Sequence, residues 1–247
     1  MSHHSTTPSQ LALEYTSLFH HLHKERESFG EKEIGDGHVH VGRHYSNRLL
    51  VVGRASYGIN RFFYPHETEN IETITSGHFP SFRSQNLDWL ETVGDETRPG
   101  GAYNPNRSAF WRCTRQVAAG LADTSEDPLH QIATTNLYKI APDSGNPSSR
   151  LQQVQLDHCI RILQLEIALL KPANVVFLTG WDWIKDFTAA FGIKDQLDLS
   201  LAQFLDVACR VDGVNYILSQ HPERKAEAPH VEEILSAVKT LNAQPAN

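Results

Sequence analysis

Cysteine is scarce. The 247 residues hold three, Cys113, Cys159 and Cys209, far apart and never in a C-x-x-C pair. That count and spacing argue against a disulfide framework and against a four-thiolate metal cluster. Cys159 and Cys209 sit among apolar neighbours, as inert core thiols do. Long hydrophobic runs are also lacking: none approaches the roughly 20 residues that span a bilayer. The segment MSHHSTTPSQ has no basic stretch followed by an apolar one, so it does not read as a secretory signal. The expectation is a cytoplasmic chain with no membrane partner. Positive charge is short as well: 22 Lys and Arg against 29 Asp and Glu give a net charge of -7 with histidine neutral. Duplex affinity comes largely from neutralising phosphates, so this balance argues against a broad nucleic-acid-binding surface. A local basic rim on an acidic protein remains compatible with it.

What is present suits one large domain. Hydrophobic residues at 40% and charged residues at 21% allow a sizeable core. Residues 9–28 carry Leu11, Tyr15, Leu18 and Leu22 at steps of four, three and four, one apolar face of a helix. A polar stretch with Gly30, Gly35 and Gly37 follows and reads as a linker. Residues 1–37 are therefore expected to be an N-terminal helical extension and linker, and 38–247 the main domain. Four short apolar runs predict strands: Leu49–Val52, Ala133–Ile140, Asn174–Thr179 and Asn215–Ser219. Leu-Leu-Val-Val and Val-Val-Phe-Leu are continuous rather than alternating, as in strands covered on both faces. Helical patterns lie between and after them at Ser108–Leu121, Leu151–Leu170, Trp181–Phe191, Leu199–Ala208 and Val231–Leu241, and Pro172 stops the longest. Alternating strands and helices imply an α/β fold: a doubly wound three-layer sandwich around a central, mostly parallel four-stranded sheet. Ligands of such sheets sit at the carboxyl ends of the strands.

The residues after each strand are therefore the candidates. Strand one runs into Gly53-Arg54-Ala55-Ser56-Tyr57-Gly58, a glycine-bracketed turn whose backbone N–H groups could face a ligand. Strand two carries Asn136 and Lys139 and leads into Pro142 and Asp143. Strand three ends in Thr179-Gly180-Trp181, and strand four in Ser219-Gln220-His221-Pro222. In chain order these tails are a glycine turn, T-N-L-x-K-x-x-P, K-P-x-x-V-V-F-L-T-G and S-x-H-P. That ordered set, over roughly residues 48–225, resembles the uracil-DNA glycosylase superfamily.

The resemblance implies a glycosylase-like fold acting on a flipped or free nucleobase, with DNA, single- or double-stranded, as partner and no cofactor. It assigns base reading to Asn136, whose carboxamide offers the acceptor and donors that uracil requires. It assigns His221 to stabilising the departing base. Gly53 and Ser56 would line the base site, Tyr57 or Phe110 would stack on the base, and Arg54, Lys139 and Arg224 would meet phosphates. The family's water-handling residues are replaced: Arg54 and Ala55 stand where branches of it carry a carboxylate or an asparagine, Ser56 replaces a proline, and Glu223 a phosphate-contacting serine. Asn60 and Asp143 are the remaining water-positioning candidates. These departures keep open a non-catalytic nucleobase- or nucleic-acid-binding module on the same fold. An unrelated small-molecule hydrolase on a doubly wound sheet is a further reading. Residues 59–106 form a long segment that reads as a lid or insertion. A separate pattern, His38, His40 and His44 at even spacing, would put three imidazoles on one face of a strand, but no carboxylate partner for a metal can be assigned and a solvated strand is the simpler reading.

Overall fold

A computed structural model describes residues 8–31, 34–46, 48–55, 62–63, 65–66, 87, 90, 104–122, 127–142, 145–195 and 197–244. Ser56, Tyr57, Gly58, Asn60 and Asp143, and most of the segment 59–106, lie outside the described residues. The described residues within 1–39, 54–85 and 136–171 form one compact unit, and those within 40–53, 86–135 and 172–247 form a second.

In the first unit, residues 8–24 form helix α1 (Pro8–Lys24), which buries Leu11, Tyr15, Leu18, Phe19 and Leu22. That stripe faces α3 (Ser149–Leu170), and the two pack against each other. Ser148 starts α3 by accepting the Leu151 amide on its hydroxyl at 3.2 Å, the usual device for an unpaired first-turn N–H. Lys171, at φ 49°, ends it in the left-handed region. Leu151, Val154 and Ile162 of α3 join the α1 stripe, Phe29 and Ile140 in one apolar cluster. The glycine-rich stretch expected as linker contains a strand, β1 (Ile34–Asp36), the centre of a three-stranded antiparallel sheet ordered β4-β1-β6. Its neighbours are β4 (Phe62–Phe63) and β6 (Ile140–Ala141).

The second unit is organised by a six-stranded sheet ordered β2-β5-β3-β7-β9-β8, in which β3 and β5 cross the boundary between the units. The strands are β2 (His40–Val41), β3 (Leu49–Ala55), β5 (Ala133–Tyr138), β7 (Asn174–Leu178), β8 (Leu205–Val211) and β9 (Val214–Ser219). β3, β7 and β9 run parallel, with Val51 opposite Val176 and Val176 opposite Ile217. The next row is Val52, Phe177 and Leu218, and all six side chains are fully buried. Continuous apolar runs thus mark the strands buried on both faces. Helix α2 (Ala109–Leu121) packs on α5 (Glu227–Ala243). Cys113 and Val117 of α2 and Ile234 and Val238 of α5 share a core cluster with Val51, Val176 and Ile217. A short helix, α4 (Trp181–Thr188), follows β7.

The sheet is mixed and six-stranded rather than mostly parallel and four-stranded. The largest difference is at Leu199–Ala208, expected as a helix: the chain turns there and enters β8, antiparallel to β9. Asp212 and Gly213 join the two strands at φ 49° and 82°, the positive values that a two-residue hairpin turn requires. β2 adds an antiparallel edge on β5. Gly42, directly after β2, lies so near the backbone of Leu129 and His130 that a Cβ there would come within 2.2 Å of the His130 carbonyl oxygen. The fold is α/β, with five α-helices among the described residues, and none of them is long and apolar enough to cross a membrane.

The core row predicts a graded response. Phe177→Ala is expected to lower the unfolding free energy by about 3–5 kcal/mol, as a cavity in a close-packed core does. Leu201→Ala, at a site 97% exposed, is expected to change it by less than about 0.5 kcal/mol. Urea unfolding followed by circular dichroism reads both.

Candidate functional site

In the second unit, parallel register brings the carboxyl ends of β3, β7 and β9 to one edge. Val52 pairs with Phe177, and Leu178 with Ser219. Gly53, Thr179-Gly180-Trp181 and Gln220-His221 therefore follow at that edge. The strand continues through Gly53, Arg54 and Ala55, so Gly53 is a buried strand residue and not the first bracket of a turn. Gly180, at φ 80°, makes the turn after β7, and its amide donates to Ser219 O at 2.9 Å. Trp181 stays 45% exposed beside it.

The turn after β9 is held from below. The Gln220 amide donates to Phe204 O at 2.9 Å, and the Gln220 side chain to Gln203 O at 3.0 Å. Ser219 and His230 are fully buried, with Ser219 Oγ 2.5 Å from His230 Nε2 and 3.1 Å from Phe204 O. A hydroxyl has one proton. If Ser219 donates it to the Phe204 carbonyl, it accepts from His230 Nε2–H, and His230 Nδ1 is the bare nitrogen. That Nδ1 has no hydrogen-bond partner, and the ring stacks on Phe204 with centroids 4.8 Å apart. Burial holds the His230 imidazole below its ordinary pKa, opposed by Glu233 and assisted by Lys225.

His221 lies in the turn itself, half-buried, and its Nδ1 accepts the Glu223 amide at 3.3 Å. The neutral ring therefore carries its proton on Nε2. Because the donor is a backbone N–H, glutamate at position 223 preserves this bond where a serine was expected. Arg224 adopts φ 60°, and its 91%-exposed side chain lies 3.8 Å from Glu223; an ion pair that open contributes little. Phe110 is half-buried on α2, edge-on to Trp111 with centroids 5.1 Å apart, and packs against the core cluster. Its ring is engaged in core packing.

In the first unit, Arg54 and Ala55 close β3, and Asn136 lies half-buried in β5. Lys139, expected to meet a phosphate, is corrected by its surroundings: side-chain exposure is 0%, and Nζ donates to Glu166 Oε2 at 2.8 Å and to Asn136 O at 2.7 Å. A lysine buried and paired this way has no path to a phosphate. Tyr15 Oη lies 3.0 Å from Gly37 O and 3.4 Å from Glu166 Oε1. Glu166 carries its carboxylate on the buried face of α3, beside Ile162, Leu163 and Leu170. An acid on an apolar helical stripe and a lysine between two apolar strands were each other's signal in the sequence. His230 on the α5 stripe, four residues before Ile234, was a similar one.

The three-histidine pattern does not assemble, because β2 covers only His40 and Val41. His38 in the first unit tilts against the Tyr15 ring, and His44 in the second lies near His130. Among the described residues, no group of three His, Cys, Asp or Glu side chains could hold a metal ion. The three cysteines are free and buried, and burial pushes the Cys113 and Cys159 thiols up to about 12.

No protein-family model matches the chain, and no curated protein matches it.

The buried imidazoles set an acid limit. His158, half-buried on α3, is also held below its ordinary value, by burial first and against the Glu14 carboxylate bonded to its Nδ1 at 2.7 Å. A histidine whose folded pKa is lowered binds fewer protons folded than unfolded. Its contribution is therefore present above the unfolded value of 6.5 and is lost as pH falls below it. Each such group steepens the loss towards about 1.4 kcal/mol per pH unit. Unfolding free energy is expected to fall between pH 7.5 and 5.5, and to fall less steeply in His230→Gln; urea titrations across that range check both.

Proposed function

We propose that this chain is a DNA glycosylase-like protein that recognises a flipped or free nucleobase and hydrolyses the N-glycosidic bond of uracil or another deaminated base. The bond to Glu223 N–H, which leaves His221 with its proton on Nε2, carries the reading. Cleavage moves the electrons of the C–N bond onto the base and leaves positive charge on the sugar, to which water then adds. A neutral imidazole presenting Nε2–H suits the oxygen on which the base's charge develops. In this reading the tautomer able to donate is already the one the turn favours, with no cost of changing it. In this reading Asn136 pairs with the base edge, which must first leave the stack. The doubly wound arrangement of the glycosylase superfamily belongs to the same proposal. So do the water-positioning roles of Asn60 or Asp143, the base contacts of Gly53, Ser56 and Tyr57, and the phosphate contacts of Arg54 and Arg224.

A second reading keeps base recognition and drops the chemistry. Ala55 favours it: a methyl group at the end of a regular strand cannot orient or deprotonate water. The acidic balance and the exposed Glu223 carboxylate favour it too, since a carboxylate repels phosphate.

One assay separates them. Single- and double-stranded oligonucleotides containing uracil, hypoxanthine or xanthine are incubated with the protein, and abasic sites are cleaved with alkali. Breaks that fall about 10²–10³-fold in His221→Ala, the size expected for loss of a charge-stabilising donor, and also fall in Asn136→Ala, support the enzyme. Binding without breaks identifies the binding module. Neither breaks nor binding removes both readings.

A further inference from the structure

The first unit contains a buried ion pair that the proposed chemistry does not use. Lys139 and Glu166 are 0% exposed and joined at 2.8 Å. Such a pair is an expensive way to fill a core: well-packed apolar side chains of similar volume often do as well or better. What an apolar pair cannot supply is the second bond from Lys139 Nζ, to the Asn136 carbonyl at 2.7 Å. We propose that Lys139 and Glu166 are positioning residues for Asn136, fixing the peptide plane that follows it and so the direction from which its carboxamide meets the base. This rests on the reading of Asn136 as the base-recognising residue.

The surroundings show a backbone clamped at the point where regular pairing stops. Lys139 is the one residue between β5 and β6, where the chain leaves the six-stranded sheet for the three-stranded one. Its amide donates to Cys159 Sγ at 3.4 Å, and its carbonyl accepts from the Gly37 amide at 2.6 Å. Gln155 serves the next residue as a neighbouring strand would. Its Oε1 accepts Ile140 N–H at 3.0 Å, and its Nε2 donates to Ile140 O at 2.8 Å. Gln155 is itself fully buried. The Asn136 carbonyl receives the lysine ammonium. Glu166 holds that ammonium in place, with the Tyr15 hydroxyl of α1 at 3.4 Å from its other oxygen. A charge-assisted bond to a carbonyl is stronger than a neutral one, and base recognition depends on alignment within a fraction of an ångström.

The test compares two variants with the full-length protein. Lys139→Met/Glu166→Leu removes both charges together and leaves no unpaired ion, so it is expected to fold. It should raise KM for a single-stranded oligonucleotide carrying uracil about tenfold, with kcat within about threefold, the signature of lost uniform binding. Tyr15→Phe loosens the same cluster but leaves the Lys139–Asn136 bond, and should lower the melting temperature without changing KM. A double variant with wild-type KM overturns the proposal. So does a Tyr15→Phe variant whose KM rises as much, since general loosening would then account for both. The carbonyl carbon shift of Asn136, read by NMR, is independent of turnover. It should move in the double variant and stay in Tyr15→Phe, and an unmoved shift in the double variant overturns the clamp. If the wild-type protein neither cleaves nor binds the oligonucleotide, the functional reading fails and the shift alone decides the clamp. If the double variant does not fold, Lys139→Met/Glu166→Gln, which still removes the donor to the Asn136 carbonyl but keeps a polar partner for Tyr15, takes its place in the same measurements, with the same outcomes.

Discussion

Parallel pairing of β3, β7 and β9 is the constraint from which the second unit follows. Val51, Val176 and Ile217 form one buried row and Val52, Phe177 and Leu218 the next. Neither row can face water, so the sheet must be covered and cannot slip by a residue without exchanging the rows. One consequence is the packing of α2 and α5 against the first row. Another is that the turns after β7 and β9 leave the sheet at a common level. His221 owes its location to that register, and its proton position to the Glu223 amide two residues on.

The first unit depends on a different balance. Its apolar contacts between α1 and α3 surround polar groups that have been taken out of water and then satisfied: Lys139, Glu166, Tyr15 and Gln155. A buried carboxylate or ammonium left alone costs several kcal/mol, so Lys139 and Glu166 must be acquired or lost together. The second unit shows the same economy around Ser219 and His230, with one imidazole nitrogen left without a partner. Side chains of this kind restrict the backbone more narrowly than apolar packing does, because a hydrogen bond has a direction.

How much of this could be read from the residues follows from the range over which each signal acts. The central strands were legible because Leu-Leu-Val-Val and Val-Val-Phe-Leu are continuous, and α1 and α3 because their stripes repeat over many turns. β8 was not. Leu199–Ala208 holds enough apolar residues to imitate a helix, and the decisive signal, Asp212-Gly213, lay beyond it. β1, β4 and β6 are two or three residues long, too short to leave any periodicity. The turn holding His221 was legible as the end of a strand, but its tautomer was not, because that rests on a backbone amide. Lys139 looks like a phosphate-binding cation in the sequence because its partner is 27 residues away. A charge near a strand end looks the same whether it meets water or a carboxylate.

Gly42 carries a consequence for how the chain avoids its own copies. β2 is only two residues long and is the outermost strand on its side of the sheet. It nevertheless occupies hydrogen-bonding groups of β5 that an extended segment from another molecule could otherwise use. Any side chain at position 42 would collide with the His130 carbonyl and lift the short strand away. The missing methyl group thus lets the short strand lie against its longer neighbour and cover part of that edge.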